Sequence, residues 1–180
     1  MSKNKNQVFL YAFTAVLGSI AGVLKIVSIE SPLYRLTVYD IPIMIAGFTI
    51  GPLYGGIVGL IADIFQMLLK GYPPSLMTLS SIMWGVIPGL FYYIKRYLKS
   101  NTSKVIVAVI LIILTSATAF GINTLQLYLW YGSGSFIQLP GRIITAIIKL
   151  PIEAFVCIPT YYVYQNMIRN SQYNAIEYDL

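Results

Sequence analysis

Lys104-Val-Ile-Val-Ala-Val-Ile-Leu-Ile-Ile-Leu-Thr-Ser-Ala-Thr-Ala-Phe-Gly-Ile-Asn-Thr-Leu-Gln-Leu-Tyr-Leu-Trp-Tyr-Gly-Ser-Gly-Ser-Phe-Ile-Gln-Leu-Pro-Gly-Arg142 carries no Asp, Glu, Lys or Arg between its two terminal cations. A soluble domain of this size does not tolerate so much uncharged apolar chain. A bilayer does, because about 20 apolar helical residues cross roughly 30 Å of hydrocarbon, where only a backbone that satisfies its own hydrogen bonds survives. An integral membrane protein is expected. Composition agrees: 57% hydrophobic and 10% charged residues give a mean hydropathy of +0.74. No Ser/Gly/Pro-rich or acidic linker divides the chain, so residues 1–180 form one expected membrane domain.

Working outward from that stretch, hydropathy places helices at about 8–27, 41–51, 53–69, 78–97, 105–128 and 142–167, an all-α six-helix bundle. The apolar run 41–69 is too long for one ordinary span, and Gly51-Pro52 divides it because proline cannot continue the hydrogen-bond ladder. Gly71-Tyr-Pro-Pro-Ser75 reads as a turn, Pro88 as a kink, and 129–141 as a loop mixing aromatics with turn residues. Lys25, near the exit of the first span, is expected to extend its stem to the interface. Lys3 and Lys5 before an apolar stretch resemble a secretory leader, but no clear small-x-small cleavage site precedes a soluble domain, so this helix is expected to be retained.

The formal charge of +6 would point to nucleic acid in a soluble protein. Here most cations sit in short segments between apolar runs, and no nucleic-acid partner is expected. Six spans put both termini on one side with 95–104, and that side gathers Lys3, Lys5, Lys95, Arg96, Lys99, Lys104 and Arg169. By the positive-inside bias it is the cytoplasm. A chain without histidine and with Cys157 alone lacks the commonest general base, metal ligand and disulfide, so no catalytic, cofactor or metal site is expected.

Polar groups inside apolar spans are expensive, roughly 3 kcal/mol each on insertion scales, and mark candidate sites. They are Asp63, Gln66, Asn123, Gln126, Arg142, Lys149 and Glu153. Lys149 and Glu153 have the spacing of a helical ion pair, and Asp63 can serve as a packing counter-ion. Arg142 and Lys149 share one helix face about 10 Å apart along the axis, which suits an anionic ligand. Tyr39, Tyr72, Trp84, Tyr128, Trp130 and Tyr131 cluster near the outer boundary beside amides. Planar rings with amide edges suit a flat heteroaromatic ligand.

Small residues form two stripes, Ala12, Ala15, Ser19 and Gly22 on the first helix and Gly55, Gly59 and Ala62 on the third. Such stripes let membrane helices approach closely, and a partner helix is the expected occupant, the alternative being packing within this bundle.

The stretch from Leu36 to Asp63, Leu-Thr-Val-Tyr-Asp-Ile-Pro-Ile-Met-Ile-Ala-Gly-Phe-Thr-Ile-Gly-Pro-Leu-Tyr-Gly-Gly-Ile-Val-Gly-Leu-Ile-Ala-Asp, resembles the substrate-binding S-components of energy-coupling factor (ECF) vitamin transporters. Gly71-Tyr-Pro-Pro-Ser75, Trp84-Gly-Val-Ile-Pro-Gly89, Asn123-Thr-Leu125, Leu139-Pro-Gly-Arg-Ile-Ile144 and Lys149-Leu-Pro-Ile152 resemble the folate-specific branch, FolT. The resemblance implies a six-helix bundle with an outward pocket, capture of folate, and delivery through a coupling membrane subunit (T-component) and two cytoplasmic ATPases. It implies Tyr39, Trp84 and Tyr131 against the rings, Asn123 and Gln66 on the pterin edge, and Arg142 and Lys149 near carboxylates or pterin oxygens. Arg35 and Lys70, on outer loops, are further candidates for the glutamate tail. The family docks its coupling subunit through an Ala-x-x-x-Ala pattern on the first helix, for which Ala15-x-x-x-Ser19 and Gly18-x-x-x-Gly22 are the nearest equivalents here. Other flat vitamins, riboflavin or thiamine, and a stand-alone secondary transporter are the competing expectations.

Overall fold

The protein is described from a computed structural model covering residues 2–30, 35–71 and 73–177, with side chains over 7–28, 37–71 and 73–167. Its elements are α1 (Ser2–Ile26), a two-residue antiparallel pair β1 (Ile29–Glu30) and β2 (Arg35–Leu36), α2 (Asp40–Ile50), α3 (Pro52–Lys70), α4 (Leu76–Gly89), α5 (Phe91–Ile94), α6 (Asn101–Tyr131) and α7 (Leu139–Glu177). The strands pair Ile29 with Leu36 and Glu30 with Arg35. Apart from that pair the described residues are helical or connecting.

Among the described residues, four stretches are long and apolar enough to cross a membrane: Gln7–Ile26, Pro52–Lys70, Leu76–Tyr97, and Asn101–Met167, which holds α6 and most of α7 together. The apolar helix Asp40–Ile50 is shorter. The expected fourth helix breaks at Leu90, just beyond Pro88, and continues as α5 and a 3-10 turn, Lys95–Tyr97. The loop expected from residue 129 begins later, because α6 runs to Tyr131 before the 3-10 segment Gly132–Gln138. Hydropathy marks what lipid covers, whereas the i to i−4 ladder continues past the hydrocarbon until something ends it. At α6 that something is Gly132, at φ +59°.

The break between α2 and α3 follows the sequence. Gly51 takes φ +99° and donates to the Gly47 carbonyl, and Pro52 occupies the first turn of α3, where a missing N–H is harmless. Ser75 accepts from the Met77 N–H at 3.3 Å and starts α4. The Gln126 carbonyl oxygen accepts from the Leu76 N–H at 2.8 Å, so this intramembrane amide caps a helix.

Core residues centre on α2, where Ile43, Met44, Ala46 and Phe48 are buried. Phe48 meets Phe91 edge-on at 5.5 Å, and Phe91 meets Tyr161 at 5.2 Å. Val16, Ile20, Leu68, Ile110 and Phe155 point outward, as a lipid-facing surface requires.

Two expectations are corrected here. The stripe Gly55, Gly59 and Ala62 faces this chain's own α4: a Cβ on Gly55 would lie 2.6 Å from the Gly85 carbonyl oxygen, and one on Gly59 would overlap that of Ser81. Ala62 is fully buried. Gly22 is likewise occupied, by the Phe65 ring of α3, whereas Ala12, Ala15 and Ser19 are exposed. Lys25 does not extend to an interface. It is 2% exposed, pairs with Asp63 and donates to Ser81 Oγ at 2.6 Å. Thr78 donates to the other Asp63 oxygen at 2.5 Å. A buried aspartate this close outcompetes the interface because it offers the ammonium a charge-assisted bond without exposing the stem.

Candidate substrate-binding cleft

A cleft lies between the N-terminal end of α2, α4, the second half of α6 and the first half of α7. It encloses about 130 Å³, and its walls bound about 690 Å³ with the open mouth included. Tyr39 and Asp40 enter from the start of α2, Trp84 from α4, Ser116, Phe120 and Asn123 from α6, and Arg142, Lys149 and Glu153 from α7. The α7 residues converge because 142, 149 and 153 recur at helical spacing on one face.

Charge in the cleft is layered. Arg142, nearest the start of α7, donates to Thr124 Oγ1 at 3.1 Å, and its guanidinium lies 5.0 Å from the Phe120 ring centroid. Lys149 pairs with Asp40, lies 3.6 Å from Glu153 Oε1, and sits 5.4 Å from the centroid of Trp84. Ser116 donates to Glu153 Oε2 at 3.3 Å. Asp40 belongs to the first turn of α2, where the helix N-terminus favours a carboxylate. The Tyr39 ring is covered from behind by the Lys25 ammonium at 4.7 Å. The cleft thus offers three aromatic rings, one amide, two cations and two carboxylates, the inventory of a binding site for a flat, charged molecule.

A family model described as "ECF transporter, substrate-specific component" matches residues 10–161. The chain belongs to the ECF-transporter substrate-specific components. This S-component is 34% identical over 136 residues to the folate transporter FolT of Clostridium novyi (strain NT), covering 73% of this chain and 75% of the relative. It superposes on a crystal structure of FolT bound with folic acid with TM-score 0.67 and 28% identity, over 86% of this chain and 92% of that one. An S component of a bacterial ECF transporter shares the fold, with TM-score 0.55 and 22% identity over 94% of this chain and 98% of that one.

Of the residues expected at the site, Tyr39, Trp84, Asn123, Arg142 and Lys149 line the S-component's cleft. Gln66 does not. It is buried on α3 one turn beyond Asp63 and is not among the residues lining the cleft. Tyr131 is exposed in the last turn of α6, edge-on to Trp130 at 6.5 Å, and Lys70 is half-buried in the last turn of α3, also away from the cleft. The side chains of Arg35 and Tyr72 lie outside the described residues. Sequence reasoning missed Asp40, which falls just outside the helix expected at 41–51. Its signal was an acid directly ahead of an uninterrupted apolar helix, which places a carboxylate at membrane depth.

Proposed function

We propose that this S-component captures folate from the extracellular side and delivers it through a coupling membrane subunit and two cytoplasmic ATPases. The observation that carries the reading is the convergence of Tyr39, Trp84, Asn123, Arg142 and Lys149 on one cleft, in a chain 34% identical to a folate transporter. Tyr39 and Trp84 stack the pterin, Asn123 bonds its edge, and Arg142 takes the carboxylates of the glutamate tail. The chain is a carrier and not an enzyme. It has no Gly-x-x-x-x-Gly-Lys-Ser/Thr phosphate loop, so ATP hydrolysis belongs to its partners. Six membrane helices (α1, α2, α3, α4 continued by α5, α6 and α7) make one domain with both termini in the cytoplasm, and the cleft opens on the opposite side. The exposed Ala12, Ala15 and Ser19 of α1 face the coupling subunit.

Calorimetry on the purified chain, without ATP or partners, is expected to show folate binding. Heat with riboflavin or thiamine and none with folate would move the assignment to another vitamin. Uptake that persists in cells lacking the ATPases would make the chain a self-sufficient carrier. Ser100→Cys is expected to resist impermeant thiol reagents on intact cells, and rapid labelling would invert the topology.

A further inference from the structure

A second cavity lies at the other end of α2 from the cleft, where the break between α2 and α3 meets α1, α5 and the later part of α7. It encloses about 470 Å³. Leu10, Leu53, Tyr92, Tyr93 and Tyr164 wall it, and Lys95 is the one charged residue that lines it. Lys95 comes near the end of the apolar stretch Leu76–Tyr97 and is half-buried. Its ammonium lies 4.5 Å from the centroid of Tyr92 and 5.5 Å from that of Tyr161. Among the described residues no carboxylate pairs with it, and Lys104 repels it. Arg96, next in the chain, is exposed and donates to its neighbour Tyr97 Oη at 2.8 Å. A cation that serves only the positive-inside bias can stay in water as Arg96 does. Lys95 is instead turned into a cavity, between rings whose faces attract a cation but bring no negative charge.

We propose that this cavity seats the headgroup phosphate of an anionic phospholipid, with Lys95 as its counter-charge and an acyl chain leaving past Leu53 and Tyr93. The leaflet is the cytoplasmic one, which rests on the topology proposed above. Charge selects the occupant: residues 95–104 carry Lys95, Arg96, Lys99 and Lys104 and no acid, and basic segments at that boundary attract anionic headgroups. The walls select a lipid over a soluble phosphate. A free phosphate needs donors on several sides, whereas this cavity supplies one ammonium among rings and aliphatic chains. A phospholipid needs that single counter-charge and an apolar flank. The flank is present, since Leu53 is 70% exposed and Tyr93 52%, and tyrosine suits the depth where headgroup meets hydrocarbon. A lipid held there fills the space between the α2–α3 corner, α1, α5 and α7 and ties their inner ends together.

The test is native mass spectrometry of the full chain released from detergent micelles that contain phosphatidylglycerol or phosphatidylcholine with the same acyl chains. The wild type is expected to retain phosphatidylglycerol about 5-fold better, the weight of one lysine at an anionic surface. Lys95→Gln should bring that ratio close to one, Lys95→Arg should keep it, and Arg96→Gln, outside the cavity, should leave it alone. Folate affinity should be unaltered in all three, which reports that they fold. If Lys95→Gln does not fold, Leu53→Trp decides, because a bulky ring at the exposed mouth should lower retention of phosphatidylglycerol. A wild-type ratio of one overturns the lipid site, as does a ratio untouched in Lys95→Gln or in a folded Leu53→Trp. A ratio lost equally in Arg96→Gln assigns the preference to diffuse charge and overturns it too, and displacement of the lipid by equimolar glycerol phosphate assigns the cavity to a soluble anion. Rapid outside labelling of Ser100→Cys with the lipid preference kept overturns the topology and leaves the lipid site standing.

Discussion

Two lysines of this S-component sit beside buried carboxylates, Lys25 buried and Lys149 half-buried, and their surroundings differ. Lys25 meets Asp63 and Ser81, Asp63 takes Thr78 on its second oxygen, and among the described residues that carboxylate has no orphaned atom. Lys149 meets Asp40 and Glu153, and one oxygen of each is left without a donor. The first network joins α1, α3 and α4 and is closed. The second walls a cleft and is open. Complete satisfaction rigidifies a core, whereas an incomplete network at a cavity is a place for a ligand to finish.

The largest effect expected from this contrast is on stability at Lys25. Lys25→Met leaves Asp63 charged and buried, so the unfolding free energy should drop by roughly 3–5 kcal/mol, read as a lower melting midpoint in detergent. The pair Lys25→Met with Asp63→Leu should recover most of it. A single variant that melts like the wild type would remove the structural half of the comparison.

At Lys149 the expected loss is of binding. Lys149→Met should weaken folate roughly 10- to 150-fold, with a smaller fall in melting midpoint than Lys25→Met because Lys149 is partly exposed at the cleft whereas Lys25 is buried. Equal destabilisation by the two lysine variants would erase the distinction between them.

A smaller change separates residues inside and outside the cleft. Asn123→Ala should weaken folate roughly 2- to 12-fold, the weight of a neutral hydrogen bond, and Tyr131→Ala should leave affinity unaltered in an equilibrium radioligand assay. The reverse ranking would move the site toward the α6–α7 connection.

The smallest effect on folding is expected on the outer face of α1. Ala15→Trp should change stability by no more than about 0.5 kcal/mol, as at other exposed positions, and leave folate binding intact while uptake and co-purification with the coupling subunit fail. Loss of binding together with uptake would place the stripe in the bundle's own packing.

The spans were legible because uncharged length and the Gly51-Pro52 break are local properties of the chain. The partners of buried polar groups are not local. A cation near the end of an apolar span reads the same whether its stem reaches an interface or a carboxylate, and the Asp63 that captures Lys25 lies 38 residues away. Asp40 hid for the same reason, since its lysine is 109 residues downstream. Gly55 and Gly59 show a further limit: a stripe of small residues announces close approach of another helix without naming which. Five residues that line the cleft were legible because rings, amides and cations in apolar spans are few, but which face of α3 carries Gln66 depended on packing.

α2 has 11 residues and rises roughly 16 Å, whereas α3, leaving the same Gly51 turn, has 19 and rises roughly 28 Å. Hydrocarbon is about 30 Å deep. One column of the bundle therefore stops little more than halfway, and its N-terminal amides and Asp40 end inside the membrane rather than at its surface. The cleft lies at that end of α2, where Thr37, Tyr39 and Asp40 line it. The cleft borders the missing turns of a helix, and lengthening α2 by two turns at Asp40 would push backbone into it.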